Sequence, residues 1–427
     1  MGPSVPHADP ERRVASAEQA PLDSRREDMA VKQAPEMAST AEIFWPARVE
    51  AAPARLFVLI EMSAPGATLL FDEPVEVVTA HQKDEVAPAL ARLEAARCDG
   101  YHLAGYAGYE LGYALEPRLA RSGIPGATTP LIRFGVFGPP ARLGGTQDRT
   151  APIDIPTTPA WSLADYAQRF AACREYIYAG DVYQINLTFP LRGRYDGDPL
   201  ALYCALRRRQ PPAYGGVVAL GEETVVSLSP EIFFETDGRM IRARPMKGTA
   251  RRGFLPLEDM ARAWELSQDE KNRAENLMIV DLLRNDLSRL SEVGSVKVTD
   301  LYTIETYPTL HQMTSGIEAR LKRSVSLADL FTGLFPCGSV TGCPKIRAME
   351  IIRELEGAPR GVYCGALGVV APDGSARFNV AIRTLTLFED HSLVCNVGSA
   401  IVADSKVEDE YAECLIKAKF LTGATSS

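Results

Sequence analysis

In residues 274–290 (AENLMIVDLLRNDLSRL), Glu275 stands three and four residues before Met278 and Ile279, and Leu282 and Leu283 follow at the same spacing. A helix with that spacing carries the Glu275 carboxylate on its apolar side. An ionised carboxylate there is costly unless it is paired, hydrogen-bonded or bound to a metal. It is either a working acid or an acid at the edge of the face, capping a neighbouring element. In residues 407–421 (VEDEYAECLIKAKFL), Glu410 and Glu413 are three apart on one helical face, with Lys417 four beyond Glu413. Two carboxylates so placed can converge on a hard cation such as Mg²⁺. The alternative is a solvated face with a Glu413–Lys417 ion pair worth about 0.3–0.5 kcal/mol.

Two further segments have the residue types for chemistry. RARPMKGTARR (242–252) sets Lys247 beside Gly248 and Thr249, just after Pro245 restricts the chain. Lysines are usually solvated, and only burial would make this amine a nucleophile or base. FPCGSVTGCPKIRAMEIIRELEG (335–357) reads as a loop feeding a helix, with Thr341 as N-cap candidate, Pro344 in the first turn and Gly357 as the stop. Free N–H groups at such a helix start favour an anion. The order G-x-x-x-x-G-K-[ST] fails here, so a carboxylate fits better than a nucleotide phosphate.

The elements that would hold these residues read as α mixed with β. Strand-like runs fall at 57–62, 67–71, 224–229, 365–370, 380–388 and 392–397, and helix-like runs at 86–97, 162–179, 257–290, 326–334 and 344–356. Strands and helices do not alternate regularly, which favours α+β over a doubly wound parallel sheet. Residues 1–40 read as a disordered tail rich in Ala, Pro, Glu and Arg. A Gly-, Pro- and Thr-rich stretch at 138–160 is the best boundary candidate, dividing an N-terminal region (41–155) from a catalytic region (156–427).

With 427 residues and 46% hydrophobic content, the chain can fill a sizeable core. A net charge of −9 argues against nucleic acid or anionic membrane as partner. The eight cysteines are scattered without C-x-x-C or zinc spacing, and no signal-peptide core or membrane-length apolar run is seen. A cytoplasmic enzyme is expected.

Taken in order, YAGDVYQINLT (178–188), SPEIFFE (229–235), PMKGT (245–249), AENLMIVDLLRND (274–286), GSVTGCPKIRAMEII (338–352), FNVAIRTL (378–385) and VGSAIVADS (397–405) with its acidic helix resemble the chorismate-utilising enzymes. That family includes anthranilate, aminodeoxychorismate, isochorismate and salicylate synthases. The resemblance covers about residue 160 to the end, with a weaker match at YHLAGYAGYELGYALEP (101–117). It implies one intertwined unit with large antiparallel sheets around the active site.

Position by position, the resemblance implies Glu275 and Glu413 as direct Mg²⁺ ligands, with Glu410 acting through water. It makes Arg383 and Tyr363 the partners of the substrate's side-chain carboxylate. Gly248, Thr249, Ser339, Gly398 and Ala400 line the substrate, Lys417 lies near the metal, and Glu231 is the acid that protonates a departing hydroxyl. The residue before Gly248 is Lys, as in the aminodeoxychorismate synthases, where anthranilate synthases carry Ala. By that resemblance the Lys247 amine adds at ring C2 as the C4 hydroxyl leaves, and ammonia then attacks C4. No glutamine-hydrolysing segment is visible, so ammonia is expected from a separate glutamine amidotransferase subunit. Three positions depart from common family patterns: Asn272 where many members have an acid, Gln312 where several have His, with His311 adjacent, and Met246 in place of Ile.

Overall fold

The apolar runs pair into two large sheets in a computed structural model that describes residues 55–61, 68–120, 129–143, 154–307 and 310–422, with residue 1 and the pair Lys32–Gln33. Most of the tail expected at 1–40, and the middle of the Gly/Pro-rich stretch at 144–153, lie outside the described residues. Lys32–Gln33, within that tail, pairs in parallel with Glu305 and Thr306. All other described strand pairings are antiparallel.

One sheet runs from Lys297–Thr306 through Leu310–Arg320, Met240–Ala243, Ile232–Asp237, Ser375–Asn379, Ala366–Val370, His102–Ala107 and Ile132–Phe137 to Glu76–Ala80, with Met246–Arg251 also paired to Leu310–Arg320. The other runs from Gly342–Cys343 through Gln184–Arg194, Ser392–Ile401, Thr384–Phe388, Glu223–Ser229, Tyr214–Ala219, Phe57–Glu61 and Thr68–Asp72 to Ala141–Leu143. Strands from before and after the Gly/Pro-rich stretch share both sheets: Phe57–Glu61 pairs with Tyr214–Ala219, and His102–Ala107 with Ala366–Val370. Phe57–Glu61, Ile132–Phe137 and Ala366–Val370 are buried along their whole length, which is why they read as continuous apolar runs rather than as alternation. The architecture is α+β, with large antiparallel sheets and flanking helices.

Helices Lys83–Cys98, Leu163–Tyr178, Glu270–Leu290, Leu327–Leu334 and Lys345–Glu356 bury their apolar stripes in the largest core cluster. There the rings of Phe234 and Phe331 both lie against Phe378, with centroids 5.2 and 5.4 Å away. Such pairs add about 0.5–1.5 kcal/mol each beyond area burial. No helix among the described residues is long and apolar enough to cross a membrane.

Two local expectations are corrected. The stretch 257–290 is two helices, Pro256–Gln268 and Glu270–Leu290, because Asp269 adopts extended backbone and its carboxylate accepts the amide of Asn272 at 2.7 Å, capping the second helix. Thr341 is not an N-cap: its hydroxyl donates to the Gly338 carbonyl, Gly342–Cys343 pairs with Gln184–Arg194, and Pro344 takes the cap position. Gly357 ends that helix in the left-handed conformation, as expected.

Candidate active site

Glu231 sits in the turn that leaves Glu223–Ser229 for the other sheet. Its amide donates to the Ser229 hydroxyl at 3.2 Å, that hydroxyl donates to the Val380 carbonyl at 2.6 Å, and the Val380 amide donates to the Glu231 carbonyl at 3.0 Å. The residue is 4% exposed, and its Oε1 has no hydrogen-bond partner among the described residues. Burial pushes its carboxyl up to about 7, against the opposing pull of Ser339, Lys247 and Lys417. A carboxyl so tuned holds a proton near neutrality.

Lys247 lies in Met246–Arg251, where Met246 faces Thr314 and Thr249 faces Gln312, so Lys247 and Gly248 stand opposite the single residue Met313. This bulge puts Gly248 at φ +78°. The residue is half-buried, and protein lies close enough to the amine for desolvation to dominate its titration. Desolvation lowers its pKa, Glu275 opposes, Lys417 lowers it further, and Glu231 and Glu413 oppose. The same field therefore joins the lysine, the buried acid and both acidic helices.

Glu275, half-buried on the helix Glu270–Leu290, has its carboxyl raised by burial, lowered by Lys247 and Lys271, and raised again by Glu410 and Asp404. On the helix Val407–Lys417, Glu410 accepts from the Ser405 hydroxyl at 2.7 Å, and Glu413 pairs with Lys417 at 2.7 Å. Lys417 also donates to the Gly398 carbonyl at 2.9 Å. Among the described residues no three His, Cys, Asp or Glu side chains are gathered as a metal site. Glu275 and Glu410 repel each other, and carboxylate oxygens are the donors a hard cation takes.

Gly398 and Ala400 lie on Ser392–Ile401 opposite Thr188 and Asn186. A Cβ on Gly398 would come within 2.6 Å of the Thr188 side chain, so close strand approach alone requires glycine there. Ser339 is 6% exposed in the turn Gly338–Val340. Its carbonyl accepts from the Asn186 amide at 2.7 Å. Behind it, Arg360 donates to the carbonyls of Val340 at 2.8 Å and Asn186 at 2.7 Å and to both carboxylate oxygens of Glu356, which also accepts the Thr188 amide. Neither Arg360, Glu356 nor Asn186 was marked by sequence spacing, since a buried ion pair four residues apart looks like any surface pair.

Arg383 is half-buried at φ +50°, a strained value for a residue with a side chain. Burial pushes its guanidinium down to about 10, and no carboxylate among the described residues pairs with it. It suits an anion supplied from outside. Tyr363 is 9% exposed within the main core cluster, its hydroxyl raised well above the usual range by burial. Alternation along Leu310–Arg320 separates Gln312 from its neighbour His311. His311 meets Asp259 at 2.9 Å and Thr306 at 3.0 Å, whereas Gln312 reaches Gly248 and Thr249. Gln312, not His311, faces the lysine bulge.

The sequence profile of the chorismate binding enzymes matches residues 146–423, a span that carries every residue described above as part of this site. The chain belongs to that family. Aminodeoxychorismate synthase component 1 of Klebsiella aerogenes is 40% identical over 290 residues, covering 66% of this chain and 64% of that protein. Anthranilate synthase component 1 of Streptomyces coelicolor is 42% identical over 285 residues, covering 66% of this chain and 53% of its own length. The chain thus spans under two thirds of these relatives. The crystal structure of anthranilate synthase component I from Streptococcus pneumoniae superposes with TM-score 0.72 at 25% identity, covering 88% of this chain and 93% of that one. Within the family, overall identity does not separate two chemistries; the residues at the site must.

Proposed function

We propose that the chain converts chorismate and ammonia into 4-amino-4-deoxychorismate, with Lys247 as nucleophile and Glu231 as acid. The observation that carries this reading is that Lys247, at a bulge, has its amine desolvated, which lowers its pKa, and lies within the field of Glu275, Glu231 and Glu413. The neutral amine gives its electron pair to ring C2, both ring double bonds shift (C1=C2 to C1=C6 and C5=C6 to C4=C5), and the C4–O bond breaks, the hydroxyl leaving as water with the Glu231 proton while the new C2 ammonium gives a proton to solvent. Ammonia then forms a bond to C4, the two double bonds shift back to C1=C2 and C5=C6, and the C2–N bond breaks, the lysine leaving with a proton and the new C4 ammonium giving one up. General acid catalysis of this kind contributes about 10²–10⁴-fold.

Mg²⁺, held by Glu275 and Glu413 with Glu410 through water, would supply charge neutralisation between the acidic helices and a substrate carboxylate. Arg383 and Tyr363 take the side-chain carboxylate, and Gly248, Thr249, Ser339, Gly398, Ala400 and Lys417 line the remaining surface. Ammonia comes from a glutamine amidotransferase subunit, a reading supported by the name component 1 borne by the Klebsiella aerogenes relative. The product serves 4-aminobenzoate and folate biosynthesis. Eight cysteines scattered without C-x-x-C or zinc spacing suit the reducing cytoplasm.

Anthranilate formation is the second reading, favoured by the 42% identity to the Streptomyces coelicolor synthase component. In it ammonia attacks C2 directly and Lys247 is a bystander. The test incubates the purified chain with chorismate, Mg²⁺ and ammonium and resolves the products. Aminodeoxychorismate is expected. Anthranilate as the main product overturns the proposal in favour of the second reading, and no product at all marks a catalytically silent relative.

A further inference from the structure

A bulge interrupts the ladder between two strands, and something other than the ladder must fix the residues it releases. Here the released segment is Lys247–Gly248. The Gly248 carbonyl accepts the side-chain amide of Gln312 at 2.7 Å, and the Gln312 carbonyl oxygen accepts the Thr249 hydroxyl at 3.1 Å. Gln312 is 9% exposed, so both ends of one buried amide are spent on the two residues that follow the lysine. On the opposite side, Asn272 closes over Gly248: a Cβ there would come within 2.8 Å of the Asn272 amide carbon. Positive φ and this contact both demand glycine.

We infer that Gln312 is a positioning residue that holds the lysine bulge in register, with Asn272 as the wall against which it is held. The inference rests on the reading of Lys247 as nucleophile. An amide suits the task because one group donates to a carbonyl and accepts from a hydroxyl without adding charge beside the amine. A carboxylate at position 312 could not donate to Gly248, and at position 272 it would add negative charge beside the bulge and Glu275. Gly248 and Thr249 then serve the lysine as well as lining the cleft.

The test compares wild type with Gln312→Met, which keeps the length and packing of the side chain but neither hydrogen bond, and with Gln312→Ala. Amination kinetics and hydrogen exchange of the Met246–Arg251 amides are measured on the full chain with ammonium as nitrogen source, beside thermal midpoints. Both variants should lower kcat at least about tenfold, since small misplacements of a reacting group carry losses up to about 10². KM for chorismate should stay within about threefold, and exchange should quicken in this strand while the rest of the fold keeps its protection. Unchanged kcat overturns the inference, and so does a fall in kcat with unchanged exchange. Lys247→Ala, run in parallel, separates the two claims. If it retains amination, the nucleophile reading fails, while exchange in the Gln312 variants still decides whether the clamp exists.

Discussion

The ammonium of Lys417 lies 2.7 Å from a carboxylate oxygen of Glu413 while donating to the Gly398 carbonyl at 2.9 Å. One side chain thus ties the acidic helix to a strand of the cleft. It also competes for Glu413 with any cation that Glu275 and Glu410 attract, so cation affinity depends on how readily this pair opens.

Mg²⁺ should therefore raise the thermal midpoint of the wild type, because a ligand at a hundredfold its Kd stabilises by about 2.7 kcal/mol. Glu275→Gln and Glu413→Gln should each remove most of that rise and increase the Mg²⁺ concentration for half-maximal amination at least about tenfold. An undiminished midpoint shift in both variants would show that the ion binds elsewhere.

The pH dependence of kcat/KM follows from two opposite requirements. Glu231, with its carboxyl near 7, loses the proton it must donate as pH rises through that value. Lys247 must lose a proton to attack, so its competent fraction grows with pH, sooner than for an ordinary lysine because desolvation lowers its pKa. The expected profile is bell-shaped with one break near 7. Glu231→Gln should be slow and lack that break. A break of the same position in the variant would assign it to another group.

Arg383 offers a guanidinium to which no carboxylate of the described chain is paired. Arg383→Lys should raise KM for chorismate about 10–100-fold, since an ammonium cannot reproduce a bidentate grip worth a few kcal/mol. Steady-state kinetics with ammonium would reveal this, and an unchanged KM would move the substrate carboxylate away from Arg383.

The pair Arg360–Glu356, with side chains 1% and 5% exposed, locks the turn that carries Ser339. Arg360→Met leaves Glu356 buried without its cation and should destabilise the fold by about 3–5 kcal/mol in urea unfolding. A loss below about 1 kcal/mol would mean that water already reaches Glu356.

Much of this arrangement was legible because it is local. The spacing of Glu275 against Met278 and Ile279 located its helix, and the ordered motifs placed Lys247, Glu231 and Ser339 in one family pattern. The break at Asp269 was missed because a carboxylate in mid-helix and a cap look alike until the backbone turns extended. The partition of His311 from Gln312 needed strand register, which a shift of one residue reverses. Nor could any spacing show Arg360 on the carbonyls of Val340 and Asn186, contacts of 20 and 174 residues in sequence separation.

The central claim is that the Lys247 amine, not ammonia, makes the first bond to the substrate ring. Its most direct test is Lys247→Ala assayed beside wild type with chorismate, Mg²⁺ and ammonium, both proteins matched in thermal midpoint. Formation of 4-amino-4-deoxychorismate should fall by at least about 10²-fold, as expected when a nucleophile used only in the reaction is removed. Aminodeoxychorismate turnover equal to that of the wild type would contradict the account.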